Sequence, residues 1–157
     1  MSNDSKFAFR VAGRLLTYAG IAGNTLWEMP LDRIVLLAEF TTGERPPHGY
    51  ELVFWSLEDG ELHRAIGSAY ADGIEVMVHA LSAHWQRQPK LELANSPQLA
   101  SRVLWPQELE GQEYFALEEV PPATWREKIR KAIFGAIQEY LPTETVSEYL
   151  RRYKPDF

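Results

Sequence analysis

No cysteine occurs among the 157 residues. That one absence removes a disulfide framework, a thiolate zinc site and a cysteine nucleophile together. Long apolar runs are missing too. The longest, Ile34, Val35, Leu36, Leu37 and Ala38, falls far short of the roughly 20 residues that cross a bilayer. The opening residues carry no basic segment followed by an apolar one, so no signal peptide is predicted and the expected location is cytoplasmic. Repeats, low-complexity stretches and an evident linker are also lacking. The expectation is a single domain over 1–157, with a sheet and first helix in 1–120 and a helical extension in 121–157 packed on it.

Basic residues are in the minority, with 16 Lys and Arg against 22 Asp and Glu for a net charge of −6. This disfavours nucleic acid, whose phosphates need a basic face, and anionic membrane surfaces for the same reason. The imbalance is not uniform: residues 126–157 hold seven Lys/Arg and five Asp/Glu, leaving nine and seventeen for residues 1–125. The basic end is suited to docking on the acidic body of its own chain or of a second copy. The expected partner is therefore another protein, self-association included.

What the chain does have is rings. Five Trp, seven Tyr and seven Phe bury large areas and argue for an ordered core. Their placement follows two rhythms. Over 7–16 a period of two puts Phe7, Phe9, Val11 and Leu15 on one face and Arg10 and Arg14 on the other, which predicts one half-exposed strand. Glycines punctuate a turn over 18–24, and a short strand over 25–29 ends at Pro30. Residues 33–41 and 50–57 are apolar on both faces, as in strands covered on both sides or lining a barrel. Asp59 and Gly60 mark a tight hairpin turn, and 61–68 returns as the partner strand.

From Asp72 the period becomes helical. Ile74, Met77, Val78, Leu81 and Trp85 share a stripe, predicting a helix over 73–87 with Asp72 as its N-cap and Pro89 beyond it. Leu91 and Leu93 suggest a short strand, 101–105 an extended segment, and 114–117 a last strand. A capping box of Thr124 and Glu127 opens a helix over 124–140, and a second box, Thr145 and Glu148, opens a short final helix with Val146, Tyr149, Leu150 and Tyr153 inward. Strands followed by helices give the α+β class: a meander or bent, barrel-like sheet of about five to seven strands, one helix after it and two C-terminal helices. That element order is similar to small pleckstrin-homology-like folds.

Chemistry-bearing residues do not assemble into a signature. His79 and His84 are five apart and point about 140° away from each other on a helix. Glu75 and His79 share a face, but two ligands do not make a metal site, so no metal is predicted. Ser68 and Ser101 lack a nucleophile elbow. The turn from Gly20 to Gly23 runs into a strand rather than a helix N-terminus, which disfavours phosphate binding, and no cofactor is predicted. Glu108, Glu110, Glu113, Glu118 and Glu119 form an acidic run that reads as solvated surface. No catalytic residue is assigned.

The function expected from this is a non-catalytic binding or regulatory domain acting through protein–protein contacts. Its candidate contact residues are Trp105, between Leu104 and Pro106; Phe134, off the inner stripe beside Arg126, Lys128, Arg130 and Lys131; and Arg45 and His48 in the Pro46-Pro47 loop, whose stiffness lowers the entropy lost on binding. Two alternatives stand beside it: a small enzyme with a carboxylate/histidine site near that loop, and a small-ligand-binding domain.

Overall fold

A computed structural model describes residues 7–42, 49–93, 100–115 and 142–157. The class is α+β, with two antiparallel sheets and, among the described residues, two α-helices. The predicted helix over 124–140, with Trp125 and Phe134, lies outside the described residues, as do Arg45, His48 and residues 116–117 of the predicted last strand.

The first sheet is a meander of β1 (Ala8–Ala12), β2 (Leu15–Ala19) and β3 (Thr25–Pro30). The single strand expected over 7–16 is thus two. Ala12 pairs with Leu15 across a two-residue turn whose first position, Gly13, has φ +60°, a conformation that glycine adopts without a Cβ penalty. Alternation alone cannot see such a fold-back, because both arms keep the same period.

The second sheet, in the order β6-β5-β4-β7, contains β4 (Ile34–Thr41), β5 (Tyr50–Glu58), β6 (Glu61–Ser68) and β7 (Ala100–Trp105). The turn between β5 and β6 has positive φ at both Asp59 and Gly60, which matches the twist of a two-residue hairpin. As their two-sided apolar patterns predict, β4 and β5 are covered on both faces. Leu37, Leu52 and Phe54 face one core with Phe9, Leu16, Tyr18 and Met29 of the first sheet and with Met77 and Leu81 of α1 (Ile74–Trp85). Leu36, Ala38, Phe40, Val53 and Trp55 face a second core with Tyr114, Phe115 and the helix α2 (Glu144–Arg151), through Val146, Tyr149 and Leu150. The strands therefore divide between two sheets rather than forming one bent sheet, and neither closes into a barrel.

Backbone and ring contacts join the sheets. Phe9 N–H donates to Asp72 O at 2.7 Å and Asp72 N–H to Phe7 O at 2.8 Å. Asp72 is thus committed to β1, and the N-cap of α1 is Gly73 at φ +76° rather than Asp72. A Cβ at Gly73 would stand 2.1 Å from Phe9 O, so the crossing of β1 over the helix start needs glycine. Trp27 stacks on Tyr18 at 5.3 Å and donates from Nε1 to Ile66 O at 3.0 Å.

Two further expectations, for the 91–93 segment and the start of the final helix, are corrected. Leu91 and Leu93 lie in a segment that joins no ladder among the described residues; the Glu92 N–H between them is held by the Glu39 side chain. Of the predicted last strand only Tyr114 and Phe115 are described, and Phe115 forms an isolated bridge with Pro142. The final helix begins two residues earlier than its predicted box: Thr143 is the N-cap, its Oγ1 accepting from Val146 N–H at 3.3 Å.

Candidate functional site

The one charged side chain buried completely among the described residues is Glu39, at 0% exposure. It follows from the strand. β4 reads Ile-Val-Leu-Leu-Ala-Glu-Phe-Thr, and both faces of that strand are covered, so a carboxylate in it has no route to water. A buried carboxylate needs partners, and three other parts of the chain supply them. Tyr50, at the start of β5, donates its hydroxyl to Glu39 Oε2. The Glu92 N–H donates to Oε1 at 2.9 Å. Arg102 of β7 sits opposite Glu39 in register, with Nη1 3.7 Å from Oε1. That guanidinium also donates to Lys90 O at 2.9 Å and reaches Glu92 Oε2 at 3.7 Å.

Burial pushes the Glu39 carboxyl above its ordinary range, and the Tyr50 hydroxyl, the Glu92 N–H and the Arg102 charge pull against that shift without cancelling it. The Tyr50 phenol is pushed up as well, first by burial and then by the carboxylate it donates to. Tyr50 is itself 3% exposed and meets the Tyr70 ring edge-on at 5.6 Å. The arrangement is a closed clamp. Its carboxylate oxygens are occupied and sealed, and they tie β4, β5, β7 and the 90–93 segment together. It stands just inside the ends of the 42–49 connection, where Thr42 N–H donates to Gly49 O at 2.8 Å.

The residues singled out from sequence fall elsewhere. His63 lies exposed on β6, His79 and His84 exposed on α1. Glu75 and His79 line a shallow, open groove of about 350 Å³ with Ile74, Val78 and Gln88. Among the described residues no three His, Asp or Glu side chains converge as metal ligands. Ser101 Oγ accepts from the N–H groups of Tyr114 and Phe115, each at 3.1 Å, and Ser68 Oγ from Tyr70 N–H at 3.1 Å, so both serines hold backbone. The described part of the acidic run does not converge: Glu108 pairs with Arg152 at 3.1 Å and Glu110 with Arg87. Trp105 is half-buried, its ring stacked on Trp85 at 4.5 Å and 3°. It fastens the end of β7 to the end of α1.

Two of the five exposed large apolar side chains among the described residues, Ile21 and Leu26, lie together at a hairpin that sequence reasoning passed over as a plain turn. Every residue from 21 to 26, the turn between β2 and β3 with the first two residues of β3, is exposed, with Ile21 at 57% and Leu26 at 49%. The tip is nonetheless built: Gly20 N–H donates to Asn24 O at 2.7 Å, and Gly23 N–H to Gly20 O at 2.9 Å. Glu39 was equally legible, as a lone acid in an apolar strand. No helix of the described residues is long and apolar enough to cross a membrane. In comparisons with protein-family models, with curated proteins and with solved structures, nothing matches this chain.

Proposed function

We propose that this chain is a protein-binding domain that engages its partner through the β2–β3 hairpin tip. The carrying observation is the pair Ile21, on an internally hydrogen-bonded turn, and Leu26, on the strand that leaves it, both held in the open. Aliphatic side chains on a preformed loop lose little freedom on docking and gain burial in a partner's pocket. Anchoring the hairpin, Tyr18 and Trp27 pack against the core directly below it. The sealed state of the Glu39 clamp supports the non-catalytic side of this reading, since its carboxylate oxygens are taken up in holding the fold. Trp105 belongs to the support of that fold, through its stack on Trp85.

A photoreactive side chain placed in cells at position 21 or 26, with position 17 on the outward side of the same sheet as control, tests the reading. Positions 21 and 26 should give the same discrete adduct, and Ile21→Asp should remove the one formed from position 26. Adducts equally strong from position 17, or none from the tip, would contradict it.

A further inference from the structure

Among the described residues β6 is an edge strand, paired with β5 on one side only. Its backbone groups alternate in direction. Ala69 N–H bonds inward to Tyr50 O at 2.9 Å, whereas Ser68 N–H bonds outward to the Tyr18 hydroxyl at 2.9 Å and Ile66 O outward to Trp27 Nε1 at 3.0 Å. The outward groups therefore belong to residues 62, 64, 66 and 68. The first sheet caps this edge at Ile66 and Ser68. Toward the Asp59-Gly60 turn, Leu62 and Arg64 turn their N–H and C=O groups outward, and among the described residues nothing bonds to them. Such a row of open donors and acceptors is a template for one more strand.

Charge selects what fits there. Glu61 at the turn end is ion-paired with Lys154. The two side chains that flank the open window are the exposed His63 imidazole on one face and the Arg64 guanidinium on the other, which lies 5.8 Å over the Trp55 ring. A second copy paired about a two-fold axis would set His63 against His63 and Arg64 diagonally across from Arg64, a juxtaposition of like groups that opposes pairing. An extended segment carrying carboxylates opposite Arg64 and His63, and an apolar side chain opposite the half-buried Leu62, meets each group with its complement.

We propose that the 62–64 edge of β6 is a strand-addition site for an acidic extended segment of a partner protein. This site is separate from the hairpin tip and stands or falls independently of it.

Titrating the ¹⁵N-labelled protein with the capped peptide Thr-Val-Glu-Asp-Val-Thr, and with Thr-Val-Lys-Lys-Val-Thr as control, tests it. The acidic peptide should shift the Leu62 and Arg64 amide resonances in a saturable way and bind at least tenfold more tightly than the lysine peptide. Leu62→Pro removes an outward N–H that β5 does not use and should weaken binding at least tenfold. Arg64→Glu, which keeps every backbone group, should reverse the preference between the peptides. Ile21→Asp should leave the titration unchanged, which separates this site from the tip. Equal binding of both peptides, shifts that avoid Leu62 and Arg64, or concentration-dependent shifts at those amides without peptide, the mark of a second copy, would each overturn the proposal.

Discussion

The β4–β7 sheet and the β1–β3 sheet differ in how much of each is covered. The first is packed on both faces, and six consecutive positions from Leu36 to Thr41 and five from Leu52 to Ser56 are buried. The second is packed on one face, and its hairpin tip is exposed over six consecutive residues. Full cover forces any polar group to find its partners inside the protein, which is why Glu39 holds Tyr50, the Glu92 amide and Arg102. Half cover leaves a loop free to present Ile21 and Leu26. In this protein the buried charge holds strands together, and the exposed apolar pair is the surface proposed to bind a partner.

The contrast is sharpest under substitution. Phe54 lies in the core shared by both sheets and touches Phe9 at 6.0 Å and Trp27 at 5.2 Å between ring centroids. Phe54→Ala should lower unfolding free energy by about 3–5 kcal/mol, read by chemical denaturation. Tyr50→Phe removes the donor to a sealed carboxylate and should cost about 1–3 kcal/mol. The loss should be smaller at low pH, where Glu39 is protonated and needs its donors less. At the other extreme, Ile21→Ser should change stability by no more than about 0.5 kcal/mol while abolishing the tip contact in the crosslinking experiment. If Ile21→Ser proved as costly as Tyr50→Phe, the tip would be part of the core rather than a presented surface.

Much of this was legible in the sequence, for physical reasons. β4 and β5 declared their two-sided burial because both parities of each strand are apolar, and Asp59-Gly60 declared its turn because few other pairs take positive φ twice. The stripe from Ile74 to Trp85 declared α1. What could not be read were interactions that cross the chain. Asp72 looks like a cap until β1 claims its backbone. Leu91 and Leu93 look like a strand until the Glu39 carboxylate takes the amide between them. Thr143 and Thr145 are equivalent as caps until Thr143 N–H is fixed on Tyr114 O at 2.8 Å. The hairpin tip was visible as a turn, but its exposure depends on what packs around it, and only the fold supplies that.

The central claim is that Glu39 is a sealed structural carboxyl, and its pH dependence tests that most directly. The folded-state value is raised above the ordinary value of about 4.5, so the folded protein binds this proton more tightly than the unfolded chain does. The contribution is fully present below that ordinary value and is lost as pH rises through the folded-state one. Glu39→Gln does not titrate there. Measured side by side from pH 4 to 8, the wild type should lose stability relative to Glu39→Gln as pH rises, and the gap should level off once the buried carboxyl has ionised. Parallel curves across that range would mean that the donors offset burial in full, and a wild type that gains on the variant with rising pH that they exceed it; either result would contradict burial as the dominant influence on this carboxyl.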